Sequence, residues 1–241
     1  MKIINSYSPN FDTKKRSLNS IKLIVIHYTG MQSARESMKR LSDNKSKVSS
    51  HFIIHRNGKI FRLVQDSQIA WHAGKSSWRK FRNLNKNSIG IELVNKGHEF
   101  GYENFKKKQL MILIRIVKTL IKKYKIKKIN VVGHSDIAPL RKLDPGERFP
   151  WKILAKKGIG VWHGYKTNLL KKIRGNKVFT KKNKIKFIKH LKNIGYCFPN
   201  KKKLVFFKIV KAFQRHYRTE LIDGKLDKEC LIIAENLSKK L

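Results

Sequence analysis

The chemistry of this 241-residue sequence is concentrated in one stretch, Gly133-His134-Ser135-Asp136-Ile137-Ala138-Pro139-Leu140-Arg141-Lys142-Leu143-Asp144-Pro145-Gly146. It follows the apolar run 129–132, which predicts a buried strand. The stretch leaves that strand through a loop marked by Pro and Gly, where functional side chains are commonly carried. His134 and Asp144 are suitable zinc ligands, but a catalytic zinc site usually has three protein ligands and an open fourth position. The sequence therefore predicts a third ligand elsewhere in the chain.

A candidate for that third ligand stands at the end of another strand. The run from Lys22 to Thr29 is almost continuously apolar, which predicts a strand buried on both faces. His27 lies near its C-terminal end, where proteins built on sheets often place functional groups. Taken alone, His27 is open to two interpretations, a ligand or a hydrogen-bonded histidine of the core.

A carboxylate interrupts a third apolar strand, predicted from Asn87 to Asn95. The alternation of the pattern separates two faces, Ile89, Ile91 and Leu93 on one, and Gly90, Glu92 and Val94 on the other. A carboxylate is costly to bury unpaired, so we interpret Glu92 as a catalytic acid or base beside a cation. Gly90 leaves room there for a ligand or for a close backbone approach.

Three strand ends then carry His27, Glu92 and His134, with Lys142 and Asp144 in the loop after the last. Two imidazoles and one carboxylate match a catalytic site for one Zn²⁺ per chain, with a fourth position open. Zinc lowers the pKa of water toward neutrality, so hydroxide becomes available near pH 7. Glu92 would carry the proton of the nucleophile to the leaving group, and Lys142 would stabilise the developing oxyanion. The pattern predicts a zinc hydrolase acting on a carbonyl substrate.

Aromatic and polar groups are interleaved in the loop 70–78. Trp71, His72 and Trp78 suit the wall of a groove that binds sugar or peptide, because flat rings cover apolar faces while polar tips fix orientation. Tyr28, beside His27, is a further candidate for binding substrate. The alternative is that this loop simply packs onto the core.

The remaining pattern predicts a mixed central β-sheet flanked by helices. Asn57-Gly58, between the apolar-rich runs 51–56 and 59–64, is a strong hairpin signal. Helical spacing predicts helices from Ser33 to Leu41 and from Asn104 to Tyr124. Residues 1–20 are interpreted as an irregular arm, and residues 153–178 as loop.

The end of the chain changes character, because three helical stretches follow with no strand pattern. They lie near Lys182–Asn193, Lys203–Tyr217 and Asp227–Lys240. We therefore predict a catalytic domain over residues 1–165, a linker over 166–180, and a small all-α three-helix domain over 181–241.

The formal net charge is +42, from 57 Lys+Arg against 15 Asp+Glu. Such a charge favours a polyanionic partner, although a compositional bias without one ligand is the alternative, since the basic residues are spread along the chain. Cys197 and Cys230 are interpreted as buried free thiols. We expect no membrane span and, since the N-terminus lacks a signal-peptide pattern, a cytoplasmic protein, with the cell envelope or periplasm as the alternative.

Several of these segments resemble the zinc-dependent type 2 N-acetylmuramoyl-L-alanine amidases, which include T7-lysozyme-type enzymes and peptidoglycan recognition proteins. The resemblance covers about residues 20–165. It rests on the following segments: 24–29 (IVIHYT), 50–52 (SHF) with Asn57-Gly58, 70–74 (AWHAG), 88–92 (SIGIE), 133–139 (GHSDIAP) and 142–146 (KLDPG). Among bacterial members the AmiD branch is the most similar.

This resemblance implies cleavage of the amide bond between N-acetylmuramic acid and L-alanine of the stem peptide. It places the metal ligands at His27, His134 and Asp144, and the catalytic pair at Glu92 and Lys142. The partner it implies is peptidoglycan or muropeptides, with no specific nucleic acid, and we expect a monomer. The alternative is a protein that recognises peptidoglycan without cutting it.

The C-terminal part resembles a second module, the three-helix peptidoglycan-binding domain found behind such amidases. The resemblance rests on residues 210–218 (VKAFQRHYR) and 222–227 (IDGKLD). The preceding segment is unusually rich in lysine, which is a departure from that module. A merely structural helical appendage is the alternative.

Overall fold

A computed structural model describes residues 2–178, 180–200 and 202–241. Met1, the first residue of the predicted arm, lies outside the described residues, as do Phe179 and Lys201. The strands are β1 Ile3–Asn5, β2 Phe11–Asp12, β3 Leu23–Tyr28, β4 Phe52–Ile54, β5 Ile60–Arg62, β6 Ile69–Ala70, β7 Ser77–Trp78, β8 Phe81–Arg82, β9 Ser88–Leu93 and β10 Val131–Gly133. The α-helices are α1 Ala34–Ser42, α2 Lys107–Tyr124, α3 His134–Ile137, α4 Trp151–Lys156, α5 Thr167–Ile173, α6 Lys181–Ile194, α7 Lys203–Tyr217 and α8 Lys228–Lys239.

The central sheet has six strands in the order β1-β5-β4-β9-β3-β10. All neighbours are parallel except β4 and β5, which form the hairpin predicted from Asn57-Gly58. The predicted mixed α/β sheet is therefore confirmed. Since β9, β3 and β10 run parallel, their carboxyl ends meet at one edge of the sheet, where ligands bind in open α/β sheets.

Side chains that alternate along the strands feed two apolar clusters on opposite faces of the sheet. Ile24 and Ile26 of β3 pack in the cluster that contains the buried stripe of α2. Leu23 and Val25, one position out of phase, pack in the cluster that contains α6, α7 and α8. The C-terminal helices therefore share a hydrophobic core with the sheet.

Two expectations about irregular segments were wrong. The N-terminal arm contains β1, which pairs with β5 through Ile3 and Ile60, and β2, which pairs with β6. The segment 153–178, interpreted as loop, contains most of α4 and all of α5, the latter within the predicted linker 166–180. The division into domains stays a prediction.

The three predicted C-terminal helices are confirmed to within two residues at each end. Cys197 and Cys230 are free thiols, and Cys230 is buried as expected, whereas Cys197 is partly exposed. Among the described residues, no helix combines the length and the apolar character that a membrane crossing requires.

Candidate active site

The fold brings the predicted site residues together at the carboxyl edge of the sheet. His27 lies at the end of β3, and its Cα is the register partner of Glu92 on the adjacent strand β9. On the other side of β3, strand β10 ends at Gly133, so that His134 begins the one-turn helix α3. The loop after α3 returns Asp144 to the same point. All four side chains therefore reach one place although they are distant in sequence.

Three potential ligand atoms converge between His27, His134 and Asp144, each residue offering one atom within 4.8 Å of the others. Asp144 Oδ2 lies 2.9 Å from His27 Nδ1 and 3.2 Å from His134 Nδ1. All three residues are buried. Two imidazoles and one carboxylate match the donor set of catalytic zinc sites with three protein ligands.

A hydrogen-bond chain behind His27 determines which ring nitrogen faces Asp144. The Ser88 hydroxyl donates its one proton to the Leu84 carbonyl oxygen, 2.6 Å away, so it accepts from His72 Nε2 at 3.1 Å. His72 Nδ1 is then unprotonated and accepts from His27 Nε2, 3.0 Å away. In neutral His27 the remaining nitrogen, Nδ1, presents a bare lone pair, as a metal ligand must.

The imidazole of His134 also turns its Nδ1 atom toward Asp144. His134 Nε2 lies 3.2 Å from the Ala73 carbonyl oxygen, which can only accept, and 3.4 Å from Arg141 Nη2, which can only donate. The shorter contact favours a proton on Nε2. In neutral His134, Nδ1 therefore also presents a lone pair to Asp144. Two lone pairs and a carboxylate oxygen need a positive charge between them, either a proton or a metal ion. The residues present thus fit a divalent cation.

Electrostatics favour the protonation states that a metal requires. Burial, reinforced by the neighbouring His134, lowers the pKa of His27 to about 4, so this ring is neutral near pH 7. Burial alone would raise the pKa of Asp144. The electrostatic interaction with His134 and the hydrogen bonds with both imidazoles outweigh it and hold this pKa well below its usual range. A neutral imidazole beside an ionised carboxylate is the state that binds metal.

Glu92 is the titratable group that stands apart from this set. Burial raises its pKa to about 8, the charge of Asp144 acts in the same direction, and Lys142 opposes them. Its Oε2 atom is buried without a hydrogen-bond partner among the described residues. A carboxyl group with a near-neutral pKa and a free oxygen beside a cation site is suited to proton transfer.

The site opens into a cleft of about 400 Å³. Its lining includes Tyr28, Trp71, His72 and Lys142 together with the three potential ligands and Glu92. The Tyr28 hydroxyl pairs with His98 Nδ1 at 2.8 Å, and the Trp71 indole N–H donates to Asp12 Oδ1 at 2.6 Å. Both rings are thus fixed in orientation at the cleft wall.

Trp78, predicted as a substrate-binding residue, lies elsewhere. Its side chain is 1% exposed and packs edge-on against Tyr196, with ring centroids 5.1 Å apart. Gly195 covers it so closely that a Cβ there would lie 2.4 Å from the indole. The prediction was wrong because Trp78 packs in the hydrophobic core between the sheet and the C-terminal helices. The sequence pattern of an aromatic residue in a loop does not distinguish this position from a position in a binding groove.

His72 has a different position from the one its aromatic loop suggested. It lines the cleft but is 9% exposed, and both its ring nitrogens are occupied, one by His27 and one by Ser88. Its visible role is to orient His27. Sequence reasoning missed Ser88, since a serine at the start of a strand carries no signal of this kind.

Gly90 makes room for this chain, and its replacement by Ala is our first prediction. A Cβ at position 90 would lie 2.5 Å from His72 Cγ, so His72 must shift and release His27. We expect Gly90→Ala to weaken Zn²⁺ binding by about 10–100-fold, the usual cost of losing a residue that supports a ligand. Competition with a chromogenic chelator measures this.

The matched control for that measurement is Gly164→Ala, whose Cβ would meet only the flexible Lys240 ammonium, at 3.4 Å. It should bind Zn²⁺ like the wild type. Equal affinity of Gly90→Ala and the wild type would contradict the orienting role of His72.

The amino-acid sequence is similar to those of known amidases. A family model described as N-acetylmuramoyl-L-alanine amidase matches residues 17–147. The chain is 36% identical to the N-acetylmuramoyl-L-alanine amidase AmiD of Escherichia coli, over 99% of this chain and 91% of that protein. It is 33% identical to the 1,6-anhydro-N-acetylmuramyl-L-alanine amidase AmpD of Haemophilus influenzae, over 60% of this chain and 86% of that protein.

Solved structures lead to the same family. E. coli AmiD, in complex with anhydro-N-acetylmuramic acid-L-Ala-D-γ-Glu-L-Lys, matches with a TM-score of 0.79 and 35% identity, over 95% of this chain and 92% of that one. AMPDH3 from Pseudomonas aeruginosa matches with a TM-score of 0.80 and 31% identity, over 100% and 99%. The chain belongs to the N-acetylmuramoyl-L-alanine amidase family, as a type 2 amidase of the AmiD and AmpD kind.

Proposed function

We propose that this amidase holds one Zn²⁺ between His27, His134 and Asp144 and hydrolyses the amide bond between N-acetylmuramic acid and L-alanine in peptidoglycan or muropeptides. The observation that carries the proposal is the convergence of two oriented imidazole lone pairs and a carboxylate beside the unpartnered Oε2 of Glu92. Two nitrogens and one oxygen match the zinc preference for N and O ligands, which supports zinc over harder cations.

The residues around the ligands supply the proton transfers. A zinc ion at this site would polarise the scissile carbonyl and lower the pKa of the attacking water. Glu92 accepts the proton of that water and delivers it to the leaving nitrogen of L-alanine. Lys142, half-buried in the cleft wall, faces the same space and stabilises the oxyanion.

The cleft walls bind the substrate. Tyr28 and Trp71 offer fixed aromatic faces to the sugar or the peptide. The related AmiD and AMPDH3 structures carry anhydro-muropeptides, and we propose the same class of ligand here. The γ-linked Glu of such a stem peptide has a free carboxylate, which the positive charge of this chain attracts.

The experiment that tests this function is product analysis by mass spectrometry. Purified enzyme with Zn²⁺ should release free stem peptide from anhydro-muropeptides, and a chelator should stop the release until Zn²⁺ is restored. Binding of muropeptides without any release would favour the alternative of a recognition protein. Cleavage that persists after complete metal removal would refute the metal-dependent mechanism.

The role of the C-terminal part, the oligomeric state and the cellular compartment are proposals as well. We infer that residues 181–241 bind peptidoglycan, that the enzyme is a monomer, and that it works in the cytoplasm, with the cell envelope as the alternative. Comparing turnover of intact sacculi with that of small anhydro-muropeptides tests the substrate pool. Preference for the small substrate supports a cytoplasmic recycling role.

A further inference from the structure

Asp136 connects the candidate metal site to the C-terminal helices. It lies two residues after His134 in the turn α3 and is 1% exposed. Its Oδ2 accepts from the Gly133 backbone N–H at 2.8 Å and from His216 Nδ1 at 2.7 Å. Its Oδ1 accepts from the Tyr196 hydroxyl at 2.6 Å. Two of these three donors therefore come from the C-terminal part of the chain.

The turn that contains Asp136 also carries or contacts two of the three potential ligands. His134 is its first residue. The Ser135 backbone N–H donates to the Asp144 carbonyl oxygen at 2.8 Å, so the turn holds the backbone of the third ligand as well. A shift of Asp136 would thus be transmitted to His134 through the turn and to Asp144 through Ser135.

The two donors are themselves held rigidly. The His216 ring is stacked between Trp151, at 3.9 Å and 13°, and Tyr217, at 4.0 Å and 17°. Its Nε2 is buried without a partner among the described residues, so the proton lies on Nδ1, where the carboxylate accepts it. Tyr196 is 1% exposed and packs edge-on against Trp78. Both donors therefore have one fixed direction, toward Asp136.

We propose that Tyr196 and His216 are positioning residues for the metal site, so that the C-terminal helices set the metal affinity of the catalytic part through Asp136. The proposal rests on the metal site of the proposed function. It gives these helices a role beyond binding the cell wall. The geometry of a metal site depends on the residues behind the ligands that hold the ligands in position. Loss of such a residue commonly weakens metal binding by about 10–100-fold.

The test is Zn²⁺ affinity of the full chain, measured by chelator competition. Tyr196→Phe removes only the hydroxyl and should weaken binding about tenfold, the lower end of that range. His216→Leu should weaken it at least as much. His216→Asn keeps an N–H near the position of Nδ1 and should recover most of that loss.

Two control variants separate positioning from mere stability. Tyr217→Phe removes a buried tyrosine hydroxyl from the residue next to His216, and Ile233→Val weakens the packing of α8 without touching Asp136. Both should retain wild-type Zn²⁺ affinity, whatever their effect on the melting temperature of the metal-free protein. A loss of affinity that follows melting temperature across all variants would overturn the proposal.

The wild-type protein distinguishes failure of this inference from failure of the proposed function. If the wild type binds one Zn²⁺ and Tyr196→Phe and His216→Leu bind it equally well, the positioning role is wrong. If His216→Leu does not fold, Tyr196→Phe alone decides. If the wild type binds no Zn²⁺, the proposed metal site itself is wrong.

Discussion

Replacing Glu92 by Gln should lower kcat on anhydro-muropeptides by about 100–10,000-fold while one Zn²⁺ stays bound, since a positioned general base contributes about that factor. Gln keeps the shape of the side chain but cannot accept a proton. Glu92 is not among the three converging potential ligands, so metal content should not change. Kinetics with mass-spectrometric product analysis and metal analysis of the same sample measure both results.

The control is Glu99→Gln, which removes an exposed carboxylate from the same cleft and should retain activity.

The same substitution should stabilise the metal-free protein, and the gain should grow with pH. Burial raises the folded-state pKa of Glu92 from 4.5 to about 8, so between these values the unfolded chain ionises while the folded one keeps its proton. Wild-type stability therefore falls as pH rises through this window. Gln has no proton to lose, and the difference in unfolding free energy should reach on the order of 4 kcal/mol by pH 8.5 relative to pH 4.5, because the pKa difference of Glu92 spans about 3 units within that range and each unit corresponds to about 1.4 kcal/mol.

Denaturant unfolding of chelator-treated wild type and Glu92→Gln at the two pH values checks this. Equal differences at both would show that Glu92 ionises as freely in the fold as in the unfolded chain. An active Glu92→Gln enzyme would instead remove Glu92 from the mechanism. The two outcomes are independent, since the first concerns burial and the second concerns proton transfer.

The arrangement of the site was predictable where it depends on strand ends. His27 and Glu92 lie near the ends of apolar strands and His134 directly follows one, and parallel strands bring their carboxyl ends to one edge. The alternation that put Glu92 and Gly90 on the face away from Ile89 is likewise confirmed by the apolar clusters. Local periodicity suffices for such features because each is decided by a few neighbouring residues.

What could not be predicted depends on partners far apart in sequence. The role of His72 requires Ser88 and His27 at once, and that of Asp136 requires a helix 80 residues later. Helix α5 buries only Leu170, so it has no apolar stripe, although Arg174 just after it pairs with Glu229 at 2.8 Å. Tertiary contacts decide these features, and a periodic pattern does not report them.

Replacing Asp144 by Asn should abolish activity by removing the metal. Oδ2 of Asp144 lies 2.9 Å from the nearest nitrogen of His27 and 3.2 Å from that of His134. Because both imidazoles are neutral, the Asp144 carboxylate is the one of the three potential ligands that brings a negative charge to balance the metal ion. A neutral amide offers a weaker ligand and leaves the positive charge of the ion uncompensated in a buried site. We expect Zn²⁺ affinity to fall by at least about 100-fold, beyond the 10–100-fold cost of losing a residue that holds a ligand in position. Chelator competition measures the affinity, and stem-peptide release should fall to background.

Asp144→Cys is the matched variant, because a thiolate is an anionic zinc ligand and the Zn–S bond, about 2.3 Å, is longer than Zn–O. It should bind Zn²⁺ more tightly than Asp144→Asn, which isolates the contribution of the ligand from that of the fold. The Asp144 backbone carbonyl, which accepts from Ser135, is unchanged in both variants, so the loop stays attached to the turn α3. If Asp144→Asn bound Zn²⁺ as tightly as the wild type, Asp144 would not be a ligand. The converging lone pairs of His27 and His134 would then require a different third partner.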